Sequence, residues 1–110
     1  MSFQRVCAVG EVQVDSPVRV ELEGQEIVIV RDSADNVYAI GDRCTHGDIS
    51  LSEGFVEDGT LECWAHGSRF SLCTGWPQNL PAFEPVPVFE VKIEDDAIFI
   101  DPTPIHKENK

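Results

Sequence analysis

The chain has 110 residues, a length that suits one domain with a real hydrophobic core. Its formal charge of −12 and sequence pI of about 4.4 exclude nucleic acid as a partner, because phosphates would be repelled, and favour basic proteins. The sequence also predicts neither a membrane span nor a signal peptide. No apolar run exceeds four residues, and residues 1–5 lack an apolar core.

The first half of the chain has the period-two pattern of β-strands. Residues 18–22 alternate valine or leucine with arginine and glutamate, which is typical of a strand with one solvent-exposed face. Glu23-Gly24 marks a turn, and the apolar stretch 27–30 indicates a strand buried on both faces. A loop over residues 32–36 leads to a further strand at 37–40.

The end of the chain repeats this pattern. Residues 89–94 alternate apolar and charged side chains, Asp95-Asp96 marks a turn, and residues 98–100 form the last strand. No segment has a helical period. The sequence therefore predicts an all-β fold of short hairpins, with one domain over residues 1–101 and a disordered polar tail over 102–110.

Two short segments, Cys44-Thr-His46 and Cys63-Trp-Ala-His66, carry the chemistry of the chain. They contain all but one of the histidines and half of the cysteines, and sixteen residues separate His46 from Cys63. Two thiolates and two imidazoles complete a metal donor set. Structural zinc segments usually pair like with like, whereas each segment here is mixed. This arrangement suits a two-iron cluster with thiolates on one iron and imidazoles on the other, and zinc is the alternative.

The two segments and the residues after them resemble the signature of Rieske [2Fe–2S] proteins. The resemblance lies in Cys44-Thr-His46-Gly47, in residues 63–70 and in Gly75. The resemblance extends to about residue 101. It implies stacked antiparallel sheets with an inserted cluster-binding part at about 42–81, and a [2Fe–2S] cluster as cofactor. Cys44 and Cys63 would hold one iron, and His46 and His66 the other.

Departures from one branch of this family indicate the type of Rieske protein. Rieske proteins of respiratory and photosynthetic complexes have an additional cysteine in each ligand loop, joined as a disulfide, whereas this chain has Ile49 and Ala65. Phe70 replaces a tyrosine whose hydroxyl lies near a ligand sulfur, while Ser68 matches a serine that can bond a bridging sulfide. Because one hydrogen-bond donor to the cluster sulfurs is lost and one is kept, we expect a reduction potential in the lower part of the Rieske span of about −150 to +300 mV.

Other residues of the inserted part have less specific interpretations. Gly47 and Gly67 each follow a ligand histidine, where the backbone must turn sharply. Residues 76–81 resemble a proline-containing loop that shields the cluster in this family. Cys7 is interpreted as a small buried hydrophobe. Cys73 is interpreted as inert and buried, although it could replace a ligand in a zinc site.

Arg43 and Arg69 stand beside the ligands in an otherwise acidic chain. They could contact a partner or pair with nearby carboxylates, and the sequence does not decide between these roles. His106 belongs to the polar tail and is not expected to bind metal.

The resemblance implies an electron carrier and not an enzyme. It would pass one electron from a flavin-containing ferredoxin reductase to a terminal oxygenase, as the ferredoxin component of a bacterial aromatic-ring dioxygenase. We expect a monomer in the reducing cytoplasm, since two cysteines are ligands and no export signal is evident. Two alternatives are the small subunit of an assimilatory nitrite reductase, which shares the fold but often lacks the ligands, and a structural or assembly-associated metal-binding module.

Overall fold

The structure is a computed structural model that describes residues 3–34, 36–43, 50–57, 59–64, 67–78 and 84–105. The described residues form ten strands and two short 3-10 turns. In chain order the elements are β1 (Gln4–Ala8), a 3-10 turn (Val9–Glu11), β2 (Val18–Leu22), β3 (Gln25–Arg31), β4 (Val37–Gly41), a second 3-10 turn (Leu51–Glu53), β5 (Phe55–Glu57), β6 (Thr60–Glu62), β7 (Arg69–Ser71), β8 (Val88–Phe89), β9 (Val91–Glu94) and β10 (Ala97–Ile100). No helix among these residues has the length or apolarity that crossing a bilayer requires.

The strands pair antiparallel in three sheets, which confirms the predicted all-β class. The orders are β1-β10-β9, β2-β3-β4-β8 and β5-β6-β7. Two predicted turns are present where the chain needs left-handed backbone. Glu23 and Gly24 have φ of 48° and 78°, and Asp95 and Asp96 have φ of 52° and 61°. Positive φ at both central residues is the geometry of a two-residue hairpin whose twist matches its strands.

The four-stranded sheet is the middle layer of the molecule, because β3 is buried on both faces as predicted. Val28 and Val30 belong to a core that also contains Leu61 and Phe70 of the small sheet, and we call this the site-side core. The intervening isoleucines of β3 belong to a second core. It also contains residues of β10 and other buried side chains: Val12, Ile27, Ile29, Ala39, Phe89, Ile98 and Ile100.

Part of the segment assigned by sequence to the tail packs against the domain. Ile105 exchanges two backbone hydrogen bonds with Val88, at N···O distances of 2.8 and 2.9 Å, and packs on the site-side core. Pro102 is buried, and its carbonyl accepts a hydrogen bond from the Gln25 side-chain amide. The ordered chain therefore extends at least to residue 105, while 106–110 lie outside the described residues.

Candidate metal centre

The second predicted ligand segment is the loop of the β6–β7 hairpin. The pairing continues past the strand ends, because the Cys63 N–H donates to the Ser68 carbonyl at 2.7 Å. The Gly67 N–H donates back to the Cys63 carbonyl at 2.9 Å. Gly67 has φ of +76°, a conformation that a side chain disfavours. The backbone of this segment therefore closes a four-residue loop that contains His66, which itself lies outside the described residues.

Strand alternation determines which side of this hairpin each residue occupies. Leu61, Cys63 and Phe70 are fully buried and contribute to the site-side core. Glu62 and Arg69, the adjacent residues, are partly or largely exposed. Cys63 is a free thiol with no exposed surface, and the neighbouring Ser68 is equally buried. The Cys63 thiol therefore lies on the water-shielded face of the hairpin, directly after β6.

The first predicted ligand segment is closed at its base by Asp42. Residues 44–49, which include Cys44 and His46, lie outside the described residues, but both ends of the segment are described. Arg43 and Ser50 form an antiparallel bridge, and the Leu51 N–H donates to the Asp42 carbonyl. The fully buried Asp42 carboxylate accepts from the Ser50 hydroxyl and from the Ser52 N–H, the latter at 2.7 Å.

Both arginines beside the predicted ligands pair with carboxylates. Arg43 lies 3.3 Å from Glu26. Arg69 bridges two strands of the small sheet, at 3.2 Å from Glu57 and 3.0 Å from Glu62. The side chains of both arginines are about half exposed, so each pair contributes less than about 1 kcal/mol.

Sequence reasoning missed Asp42 and its partner Arg19. Arg19 on β2 lies 3.3 Å from the Asp42 carboxylate and 3.4 Å from Glu26. The sequence contained an indication of the Asp42 contacts, because an aspartate at a strand end can bond serines eight and ten residues later across the base of a loop. The contribution of Arg19 had no local signal, since it comes from a strand 23 positions away in the sequence.

A third loop follows β7 and is held by Gly75. The Gly75 N–H donates to the Ser71 carbonyl at 2.8 Å, and its own carbonyl accepts from the Val86 N–H at 2.9 Å. Gly75 has φ of +79°, and a Cβ there would lie 2.1 Å from the Val86 carbonyl oxygen. Pro77 forms a bridge with Phe70. The predicted shielding residues Leu80 and Pro81 lie outside the described residues.

The prediction that Cys73 is buried was wrong. Its side chain is exposed, because the turn after β7 directs residue 73 outward while Leu72 fills the core. Cys7 on β1 is half-buried. Burial raises the pKa of the Cys7 thiol, the nearby Glu11 carboxylate raises it further, and Arg5 opposes them.

Tyr38 and Asp32 form a polar group at the edge of β4, remote from the ligand hairpin in the chain. The Asn36 N–H, which bonds the Asp32 carboxylate at 2.9 Å, is the largest cause that holds the pKa of Asp32 below its usual value. Burial raises the pKa of Tyr38, and the neighbouring Cys73 and Asp32 add to the rise. Tyr38 packs against the site-side core that contains Cys63, while its hydroxyl donates to the Asp32 carboxylate at 3.3 Å.

Comparison with known proteins identifies the family of the chain. The family model of the Rieske [2Fe-2S] domain matches residues 2–90. The chain belongs to the Rieske [2Fe–2S] family. Among curated relatives, this Rieske protein is 38% identical over 96 residues to ferredoxin CarAc of Metapseudomonas resinovorans, covering 87% of this chain and 90% of the relative.

Two solved structures resemble this Rieske protein closely. The ferredoxin of carbazole 1,9a-dioxygenase from Nocardioides aromaticivorans IC177 aligns with a TM-score of 0.89 and 30% identity, over 94% of this chain and all of that one. A ferredoxin in a complex of reduced oxygenase and oxidised ferredoxin of carbazole 1,9a-dioxygenase aligns with a TM-score of 0.83 and 35% identity, over 89% of this chain and all of that one.

Cys63, the one member of the predicted donor set that lies within the described residues, fits the [2Fe–2S] cluster of the family. Such a site requires a thiol that is free and shielded from water, and Cys63 meets both conditions and has backbone hydrogen bonds to Ser68 and Gly67. Within the described ranges no group of three or more potential ligands is assembled, since Cys44, His46 and His66 all lie outside them. The sequence motif predicts these three positions as ligands.

Proposed function

We propose that this Rieske protein is the ferredoxin of an aromatic-ring dioxygenase system. It would accept one electron from a flavin-containing reductase and deliver it to a terminal oxygenase. The buried free thiol of Cys63, at the mouth of a hairpin loop with the Cys-x-x-His motif, carries the proposal in a chain of this family. The oxygenase partner is supported by the complex of a relative that is 35% identical.

In the proposed site, Cys44 and Cys63 hold one iron and His46 and His66 the other. When bound, the cluster supplies reversible transfer of a single electron. The chain's own residues set the conditions for that transfer. The burial of Cys63 and Phe70 excludes water from the thiolate side, and the hydrogen bonds of Cys63 with Ser68 and Gly67 close the loop that contains residue 66 in the sequence.

The side chains around Cys63 favour a potential in the lower part of the Rieske span. Phe70 is fully buried and has no donor to give to a sulfur, while the hydroxyl of the buried Ser68 can act as one. The imidazole ligands make the potential depend on pH, because loss of a ring proton in the oxidised state favours oxidation. We therefore expect the potential to fall at alkaline pH, and a flat profile would contradict imidazole ligation.

A cytoplasmic location and a monomeric state are part of the proposal. The described cysteines, Cys7, Cys63 and Cys73, are all free, as expected in a reducing compartment. A nitrite reductase subunit or a structural metal module would use the same fold. Against both stands the complete set of two cysteines and two histidines together with the identity of 38% to a ferredoxin.

Aerobic purification followed by iron and acid-labile sulfide analysis tests the cofactor. Visible and electron-spin resonance spectra before and after dithionite should show a Rieske centre that accepts one electron. A colourless protein containing zinc and no sulfide would contradict the proposal. We expect both His46→Ala and His66→Ala to lose the spectrum. A spectrum retained in either variant would show that another residue is the ligand.

A further inference from the structure

The small sheet β5-β6-β7 has one buried and one exposed face. Its inner face carries Leu61, Cys63 and Phe70 and packs in the site-side core. The cross-strand pairs Phe55↔Glu62 and Glu62↔Arg69 define the outer face. Residues directly opposite in antiparallel strands share a side, so these three side chains lie together on the outside of the sheet.

This outer face exposes more aromatic surface than other described parts of the molecule. Phe55, on β5, is 61% exposed, and Trp64, in the loop between β6 and β7, is 53% exposed. The other large hydrophobic side chains described as exposed are Phe3, Val14 and Ile93, at 37%, 40% and 47%. Single exposed apolar residues are ordinary, but two exposed aromatics on one small sheet and its loop, one of them adjacent to a candidate ligand, are typical anchors of a protein interface.

The charges around these aromatics are mostly negative. Glu57 and Glu62 both bond Arg69, so two carboxylates are matched by one guanidinium, and the exposed Glu53 in the preceding 3-10 turn adds a third carboxylate. Both carboxylates lie on the same face of the sheet as Phe55. A partner surface that fits would have an apolar recess bordered by lysine or arginine.

We propose that the outer face of β5-β6-β7, centred on Phe55 and Trp64, is the docking surface for a basic redox partner. This inference rests on the proposed function and specifies where the partner binds. A second copy of the chain is a poor occupant, because each molecule carries a formal charge of −12. Trp64 is adjacent to Cys63 in sequence, so a partner that covers it lies against the second ligand hairpin.

The test compares two pairs of matched variants of the cluster-containing protein. Glu57→Gln removes a carboxylate that is 59% exposed and paired with an arginine, and Glu94→Gln removes one that is 60% exposed and paired with Lys92 on the β1-β10-β9 sheet. Phe55→Ser is matched by Ile93→Ser, which removes another exposed apolar side chain. None of the four positions is a proposed ligand.

The probe is ferric cytochrome c, a basic protein with lysines around an exposed haem edge, mixed with dithionite-free reduced protein in a stopped-flow instrument. At about 20 mM salt we expect Glu57→Gln to lower the second-order rate constant roughly two- to fivefold, and at about 500 mM salt this difference should vanish. Phe55→Ser should lower the rate constant about fivefold or more at either salt concentration. The two control variants should stay within about twofold of the wild type.

Equal rate constants for Phe55→Ser, Glu57→Gln and their controls would overturn the docking surface while leaving the proposed function intact. A wild-type protein without a [2Fe–2S] spectrum would instead contradict the proposed function. A reduced wild type that transfers no electron to cytochrome c would contradict the basic-partner chemistry. If Phe55→Ser loses its cluster, nuclear magnetic resonance of the wild type decides, because added cytochrome c should shift amides of β5 and β6 and not those of β9.

Discussion

Replacing Asp42 by alanine should weaken the closure of the first ligand loop. The Asp42 carboxylate is fully buried and holds the two ends of the loop together through Ser50 and Ser52, while Arg19 approaches it from β2. Alanine provides no acceptor for any of these donors. The change therefore leaves the Ser52 N–H without its acceptor and removes one of the two carboxylates that pair with Arg19, the other being Glu26.

The expected loss of stability for Asp42→Ala is about 3 kcal/mol. A buried backbone donor left unsatisfied costs roughly 1–3 kcal/mol, and the bond from the Ser50 hydroxyl to a charged acceptor contributes about 1.5 kcal/mol or more. Ser50 recovers part of its bonding through the Ser52 hydroxyl at 2.7 Å. Arg19 is 46% exposed, so its pair adds less than about 1 kcal/mol.

Circular dichroism melting of the cluster-containing protein measures this effect. At about 4–8 °C per kcal/mol for a domain of this size, the melting temperature should fall by roughly 10–20 °C, and visible absorption should be lost faster in urea. Asp42→Asn keeps the shape and one acceptor, so it should lose about half as much. Glu94→Ala removes an exposed paired carboxylate and should change the melting temperature by less than about 4 °C. An Asp42→Ala protein that melts like Glu94→Ala would refute the anchoring role.

Four further experiments test other parts of the structure. Gly75→Ala should destabilise the fold by at least about 3 kcal/mol in urea unfolding, because the added Cβ would meet the Val86 carbonyl. The control Gly59→Ala, at φ of +74° with open space around it, should destabilise the fold by only about 1–2 kcal/mol, and equal losses of stability would contradict the clash. Iodoacetamide at neutral pH should alkylate the exposed Cys73 first, and Cys7 slowly because its raised pKa keeps it protonated. The Cys7 thiol keeps its proton to a higher pH in the folded than in the unfolded chain. Its contribution to stability is therefore present at neutral pH and decreases as the pH rises above the ordinary thiol pKa of 9.0. Melting curves of the wild type and Cys7→Ser across this pH range should show the decrease in the wild type alone. Ser68→Ala should lower the reduction potential by roughly tens of millivolts in a redox titration, and an unchanged potential would exclude its hydroxyl as a donor to the cluster.

Five of the seven strands of the middle and far sheets were predicted, β2 and β9 from alternating side chains and β3, β4 and β10 from apolar runs, whereas β1 and the two-residue β8 were not. The apolar stretch in β3 indicated burial on both faces, and the two cores on either side of that strand confirm it. The three strands of the small sheet were not resolved by sequence. Each has three residues, which is too short for a periodic pattern to stand out.

The ligand motif was predictable from composition and spacing, whereas the contacts that support it were not. The sequence identified Cys63, and the structure shows its burial. Asp42 pairs with an arginine from another strand, and Ile105 pairs with β8 across 17 positions of the chain. Such contacts depend on which strands become neighbours, and no local signal encodes this. Cys73 was misplaced for a similar reason, because its exposure follows from the direction of one turn.

The in-register pairing of Cys63 with Ser68 also limits how this chain can change. One residue inserted within β6 or β7 would exchange the two sides of the strand, so the thiol would face solvent and a glutamate or arginine would face the core. Insertions in the four-residue loop would leave the strands paired but displace the imidazole from the thiol. Divergent descendants should therefore differ in length at the β5–β6 turn and beyond β7, and keep the span from Leu61 to Phe70 constant.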